Sequence, residues 1–422
     1  MVNQNVMQRG FCPGVWAPLA SGDGLLVRVR ARRGRLDANQ IRGLARAART
    51  FGNGIIELTR RANLQLRGVS FSSLPGLQTE LLRLQLASPS AAVERRPALW
   101  VCLLDGLDPR CPPLEPVAEA LDSLLSTPEL TRNLSDKFSV IVSGGSALSA
   151  ELAGDVRVQL LEARPGWAHL SIAGAGSSRE LGACRSSDVR RAVEGLLVLL
   201  GATVREHKRM GQLLVPDASA RLAAALTPLL EPLPCEASWT AELLGFQASP
   251  RNWFGFELPF GSLEAPGWEA VADLAERFGS GEVRLLPGRA LLLPDVREIH
   301  RQPLAQRAAA AHFIVERPTP WLRLVACSGA PACRSAHAET RQLASELASL
   351  VRARLRHDTT LHVSGCEKGC AWSGAADITL VHGSDGSRLG WGANVAQTAR
   401  TAALSLDAIR ERLGLEQEGL PA

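Results

Sequence analysis

Residues 26–69 align without a gap onto residues 253–296, at one offset of 227. Gly34 falls on Gly261, Leu36 on Leu263, Ala45 on Ala272, Ala48 on Ala275, and Leu64 and Leu66 on Leu291 and Leu293. Phe51-Gly52-Asn53-Gly54 meets Phe278-Gly279-Ser280-Gly281. Ala, Leu and Gly are common here, but the ungapped Phe-Gly-x-Gly match favours duplication over chance. In the first copy, residues 25–30 alternate apolar and polar at period two. Asp37 is placed to cap a helix through Arg49, and residues 55–58 and 64–67 read as a strand pair. Each copy is a strand, a helix and a hairpin, and two copies together make one sheet-and-helix domain.

A chain of 422 residues has room for two or three domains, each with its own core. An N-terminal arm spans 1–16, and the repeated units take 17–75 and 245–297. Between them, 76–244 carries strand patterns at 139–142 and 169–172 and a helix from about 188 to 200, which predicts a second domain. A third is expected over 298–400, followed by a charged helix and tail over 401–422.

With 46% hydrophobic and 21% charged residues the chain reads as globular, and no apolar run approaches the roughly 20 residues of a spanning helix. The start lacks the basic-then-apolar order of a secretory signal, so a cytoplasmic protein with no membrane partner is expected. Net charge is +5, and no Lys/Arg block carries interleaved aromatics, which argues against nucleic acid. Of the 47 basic residues, 44 are arginines, a set of forked donors suited to an anionic small molecule. Gly174-Ala175-Gly176 and Gly390-Trp391-Gly392 both lack the third glycine of a dinucleotide turn, so neither a flavin nor a nicotinamide domain is expected.

Nine cysteines, an odd number scattered over a long chain, argue against a disulfide framework. Four have ligand-like spacing: Cys327-x5-Cys333, then Cys366-x3-Cys370. Gly329, Pro331, Gly365 and Gly369 make both pairs loops. The five-residue gap is loose for a zinc knuckle and better suited to an iron–sulfur cube. Ser335 is expected to cap a helix carrying Leu343, Leu347, Leu350 and Val351, whose positive end would face the anionic cluster. Of the other five cysteines, Cys102, Cys111, Cys184 and Cys235 read as buried thiols. Cys12, in a Cys-Pro-Gly turn, is the exception. The eight histidines show no paired spacing that would locate a mononuclear metal.

A cationic row accompanies the cysteines. Arg28 and Arg30 share a face of the first strand, and strand alternation would stack Arg61, Asn63, Gln65 and Arg67 on one side. Such a row could bind several carboxylates at once. Lys137 precedes the strand that ends at Gly144-Gly145.

These residues resemble the sirohaem-dependent sulfite and nitrite reductase superfamily, and within it the precorrin-3B synthase family of cobalamin biosynthesis. The resemblance runs over nearly the whole chain. It rests on Cys12-Pro13-Gly14, the run from Gly22 to Arg30, the run from Phe51 to Gly68, Gly106-Leu107-Asp108-Pro109, Lys137-Phe138 and the two cysteine pairs. It implies an α+β fold, with duplicated ferredoxin-like half-units and two reductase-like α/β domains. It also implies a [4Fe-4S] cluster on Cys327, Cys333, Cys366 and Cys370, beside a polycarboxylated tetrapyrrole.

Carried over by position, Arg30 matches a strand arginine of the family, Arg61 the arginine after Leu-Thr-x, and Lys137 the first lysine of a Lys-Phe-Lys loop. Ala62 and Ser139 replace a glutamine and a lysine common in the reductases, and Pro97 and its neighbours lack the Arg-Asn found ahead of Gly-Leu-Asp-Pro. A six-electron reductase needs clustered cations over its oxyanion. Their thinning fits an oxygenase whose tetrapyrrole is the substrate. The resemblance therefore implies a monooxygenase that hydroxylates precorrin-3A with O2. Arg28, Arg30, Arg61, Asn63, Gln65 and Lys137 would bind substrate, with Lys137 and Arg30 catalytic. An external electron donor and a mononuclear non-haem iron of unassigned ligands are implied as well. The alternatives are a sulfite or nitrite reductase that binds sirohaem, and a non-catalytic iron–sulfur carrier or sensor.

Overall fold

The computed structural model describes residues 13–150, 152, 154–174, 177–203, 209–214, 228–353 and 355–415. Cys12 and the tail beyond Leu415 lie outside the described residues. The first copy comprises β1 (Leu19–Ser21), β2 (Gly24–Val29), β3 (Arg35–Asp37), α1 (Ala38–Phe51), β4 (Ile55–Leu58), β5 (Leu64–Val69) and α2 (Leu74–Arg83). The intervening segment supplies β6 (Ala98–Val101), α3 (Glu115–Leu125), β7 (Ser139–Ser143), β8 (Val156–Leu160), β9 (Trp167–Gly174), β10 (Ser177–Arg185) and α4 (Val189–Thr203). The second copy supplies β11 (Gly245–Gln247), β12 (Trp253–Glu257), β13 (Ser262–Glu264), α5 (Ala265–Phe278), β14 (Glu282–Leu286), β15 (Ala290–Pro294) and α6 (Arg301–Ala310). Last come β16 (Leu322–Ala326), α7 (Thr340–Arg352), β17 (Thr359–Ser364), β18 (Ala376–Gly383), β19 (Gly386–Ala393) and α8 (Leu406–Leu415).

The duplication is structural as well as textual. The two sheets run β1-β2-β5-β4-β13 and β11-β12-β15-β14-β3, so each half-unit lends its short third strand to the other. The exchange is reciprocal at the backbone: the Ala38 N–H donates to Gly281 O (3.0 Å) and the Ala265 N–H to Gly54 O (2.8 Å). Each Phe-Gly-x-Gly loop thus satisfies an unpaired donor at the start of the other half's helix. Gly54 and Gly281 both sit at φ 82°, a left-handed conformation that glycine adopts without strain. Asp37 caps α1 as expected, accepting from the Gln40 N–H in a capping box. Trp268 of α5 is buried in the shared core, and its indole N–H donates to Ile56 O across the pseudo-twofold (3.2 Å).

α2 and α6 join this core through Leu74, Leu77, Leu81, Leu304 and Ala308. The half-units therefore extend past 75 and past 297, because the apolar stripes of those helices find their partners there. The remaining sheets, β6-β7-β8-β9-β10 and β16-β17-β18-β19, share a plan of three parallel strands closed by an antiparallel hairpin. Each has its own apolar core. Cys102, Cys111 and Cys184 are buried thiols, while Cys235 is half-buried. Among the described residues no helix is long and apolar enough to cross a membrane.

Candidate cluster and tetrapyrrole site

β16 and β17 are parallel neighbours, with Ala326 opposite Val363, so both C-terminal ends leave the sheet side by side. Cys327 begins one loop, and Cys366 stands two residues past Ser364 in the other. The C-terminal edge of a parallel sheet is where such folds bind ligands. The Gly365 N–H donates to Cys327 Sγ (3.3 Å). Burial raises the Cys366 thiol pKa, and the neighbouring Cys333 and Cys327 raise it further. Burial raises that of Cys370 too, followed by Cys366, Cys327 and Cys333. The four thiols have therefore converged. Cationic irons among them would reverse the mutual repulsion, since thiol ligands bind deprotonated.

The first loop turns at Gly329 (φ 70°), where a Cβ would stand 2.6 Å from the Thr340 backbone nitrogen. That approach brings the N-terminus of α7 to the cysteines: Thr340 Oγ1 donates to Cys327 O (2.7 Å). Ser335 does not cap the helix. The chain from Cys333 is held in turns until His337 bonds Gly365 O, and Ser335 Oγ instead accepts from Lys368 Nζ (2.9 Å). Leu343, Leu347 and Val351 form the buried face of α7, with Leu350 half-buried.

Arg67 fastens this loop to the first half-unit. Its guanidinium, 3% exposed, donates to Asp23, Glu57, Ser328 Oγ (3.2 Å) and Ala332 O (2.6 Å). Glu57 also pairs with Arg341 of α7. Burial opposes ionisation of Glu57, but Arg341 and Arg67 outweigh it and hold its pKa below the ordinary carboxylate value.

Beside the cysteines lies a cavity of about 880 Å³, with Cys370 and Trp372 on its wall and Arg60, Arg61, Arg289, Arg317, Arg323 and Arg352 around it. Its roof is built by the two hairpin turns that the duplication relates. The Gly288 N–H donates to Arg60 O (3.2 Å), joining the turns, and the Arg60 guanidinium stacks 4.4 Å from the Trp372 ring centroid. Arg289 stands where the first copy has Ala62; both residues are left-handed, at φ 76° and 55°. Burial, then Arg341, lowers the Arg289 pKa to about 10, and its Nε has no hydrogen-bond partner. Arg317 is paired with Glu257. His362 of β17 is fully buried, and neither ring nitrogen has a hydrogen-bond partner. Burial, then Arg289 and Arg60, hold its pKa down at about 4, so the ring is neutral at physiological pH.

Of the residues expected to grip substrate, Arg61 lines this cavity, and Arg28, Arg30, Asn63, Gln65 and Lys137 are not among the lining residues. The left-handed turn at Ala62 breaks the expected alternation, so Arg61 sits on the hairpin turn and Gln65 and Arg67 on β5. Arg28 and Gln65 are cross-strand neighbours: Arg28 donates to Gln65 Oε1 (2.8 Å), and Gln65 Nε2 donates to Glu57 Oε2 (3.2 Å). Asn63 donates to Arg61 O (3.3 Å) and Arg30 to Arg96 O (3.3 Å). The Arg61 guanidinium donates to Ser139 Oγ (3.2 Å), two residues from the exposed Lys137. Sequence reasoning missed Arg60, Arg289, Arg317, Arg323 and Arg352. The offset of 227, applied to the hairpin at 60–63, would have pointed to Arg289.

The nitrite/sulfite reductase ferredoxin-like half domain family matches residues 17–84 and 247–311, the two half-units. The chain is 32% identical over 394 residues to a precorrin-3B synthase from Sinorhizobium sp, covering 90% of this chain and 82% of that protein. It is 24% identical to a ferredoxin–nitrite reductase from Synechococcus elongatus, over 96% of this chain and 88% of that one. The solved structure of NirA from Mycobacterium tuberculosis has a similar fold, with a TM-score of 0.70 at 21% identity, covering 92% of this chain and 79% of that one.

Proposed function

The chain belongs to the precorrin-3B synthase family, within the nitrite and sulfite reductase superfamily, and from that premise we propose that its cavity binds precorrin-3A for oxygenation at C20 and closure of the ring-A acetate into a γ-lactone. One oxygen atom of O2 enters the product and the other leaves as water, so two electrons arrive from an external donor, a ferredoxin-like protein or an NADH-linked reductase. The observation that carries the reading is the cavity of about 880 Å³, which falls in the range of about 300–1,000 Å³ for small-molecule sites and is ringed by guanidinium groups beside Cys370.

Cys327, Cys333, Cys366 and Cys370 would hold the [4Fe-4S] cluster, which supplies single-electron transfer when bound. Arg60, Arg61 and Arg289 orient the macrocycle through charge-assisted bonds to its carboxylates. Trp372 offers a flat apolar wall. Lys137, two residues along the chain from the Ser139 that bonds Arg61, is the proton source. Arg28, Arg30, Asn63 and Gln65 are held in place by the bonds that engage them. Ser139 favours oxygenation over six-electron reduction: where the reductases resembled carry a lysine, this chain has a buried hydroxyl bonded to Arg61. Among the described residues, no trio of metal-type donors within 4.8 Å of one another lies at this cavity to hold the mononuclear iron that the resemblance implies. The trio that the described residues do form lies elsewhere.

Oxygen uptake on adding precorrin-3A and a reductant to the cluster-loaded protein tests the reading. One O2 consumed per lactone formed is expected. Strong red sirohaem bands with sulfite or nitrite turnover, and no response to precorrin-3A, would overturn it.

A further inference from the structure

His169 of β9, Glu180 of β10 and Cys235 of the 228–239 strap each bring one donor atom within 4.8 Å of the others. His169 is 2% exposed and its Nε2 has no hydrogen-bond partner, although Glu180 Oε2 lies 2.9 Å away. The imidazole nitrogen and the carboxylate oxygen are thus in contact without hydrogen-bond geometry, an arrangement that a shared metal ion would satisfy. We propose that these three residues form a site for a divalent transition-metal ion of the zinc class, apart from the four-cysteine loops, that fastens the strap to the sheet.

The fold builds this convergence. The β9–β10 ladder shifts register between Glu180 and Gly182, a bulge that re-aims Glu180. Gly182, at φ 117°, lets the strap approach so closely that a Cβ would stand 2.4 Å from Glu231 O. Glu231 and Ala183 exchange both backbone bonds, which sets the strap four residues before Cys235. Past Cys235, Gln159 Nε2 donates to Glu236 O (3.1 Å), which holds the strap to β8, and Gln159 Oε1 accepts from the Cys235 thiol (3.4 Å), a bond the sulfur gives up when it deprotonates onto a metal.

One nitrogen, one oxygen and one sulfur suit zinc, which takes all three ligand types in a tetrahedron and leaves a fourth position for water. With bonds of about 2.0–2.3 Å its ligand atoms lie roughly 3.3–3.8 Å apart, inside the observed limit. Calcium and magnesium want oxygen alone. The strap runs on to Thr240–Leu244, which line the cavity, so the ion would hold one cavity wall in place.

The test uses full-length protein with its iron–sulfur cluster loaded, so that zinc cannot enter the four-cysteine loops. After dialysis against Zn2+ alone, metal analysis should find one zinc per chain. Glu180→Gln, at a side chain 66% exposed and therefore tolerant of change, and Cys235→Ser should each weaken zinc binding at least about 100-fold, beyond the roughly 10–100-fold cost of losing an outer-shell partner. Co2+ in place of Zn2+ should give a sulfur-to-cobalt charge-transfer band that Cys235→Ser abolishes. Equal zinc in all three proteins, or none at micromolar Zn2+, overturns the site.

Discussion

The Arg67 guanidinium meets the Glu57 carboxylate at 3.2 Å with both side chains buried, at 3% and 8% exposure. The same guanidinium holds the Cys327–Cys333 loop through Ser328 and Ala332. Breaking a buried pair by removing one partner costs about 3–5 kcal/mol, because the other charge is left uncompensated. Arg67→Met should therefore lower stability by about that amount in urea denaturation, and should slow cluster reconstitution by loosening the loop. A loss under 1 kcal/mol, the size of a surface pair, would show that the strut is dispensable.

Glu57 also sets an acid limit. Its pKa lies below the ordinary value of 4.5, so the stability it contributes is complete above that value and is lost as pH falls through its folded value. Wild-type stability should drop more steeply below about pH 4.5 than that of Glu57→Gln, which has no proton to gain. Parallel thermal-melt profiles for the two proteins would contradict the assignment.

Arg289 has the opposite sign. Burial depresses its pKa to about 10, so at neutral pH the ligand-free protein carries the charge at a cost that fades only as pH rises past the folded value. Arg289→Met should raise the melting temperature of ligand-free protein. It should also weaken binding of a polycarboxylated tetrapyrrole roughly 10- to 150-fold, the worth of one hydrogen bond to a charged group at about 1.5–3 kcal/mol. A variant that binds as wild type does would remove Arg289 from the carboxylate contacts.

Arg61→Ala should weaken the same binding, at least about tenfold, in an absorbance titration. If affinity holds while the protein melts earlier, the residue serves to tie its hairpin to Ser139.

Cys366→Ser removes one corner of the thiol set. Iron and sulfide analysis after reconstitution should fall to background, and the broad iron–sulfur absorbance should vanish with oxygen uptake. A variant that keeps full cluster content would contradict the ligand assignment.

The half-units and the cysteine loops were legible from the chain because both signals are local. The helix cap at Asp37 and the shared left-handed glycines of the Phe-Gly-x-Gly loops depend on a few consecutive residues. Strand alternation failed where one residue, Ala62, left the extended region and moved Arg61 onto a turn. The cap expected at Ser335 failed because backbone turns and a bond to Lys368 hold that serine before the helix begins.

The duplication, the strand–helix–hairpin order within each copy and the pairing of four thiols in glycine-bearing loops are all readable from consecutive residues. Packing between elements sets the rest: the copies exchange strands, Arg67 and Gln65 are engaged inside the fold while Arg289 lines the cavity, and His169, Glu180 and Cys235 meet. Periodicity reports which face of an element is apolar, but not what packs against it. A charged or ligating side chain takes its role from partners tens to hundreds of residues away, as Arg67 does from Ala332, and such pairings arise only when separate elements pack together.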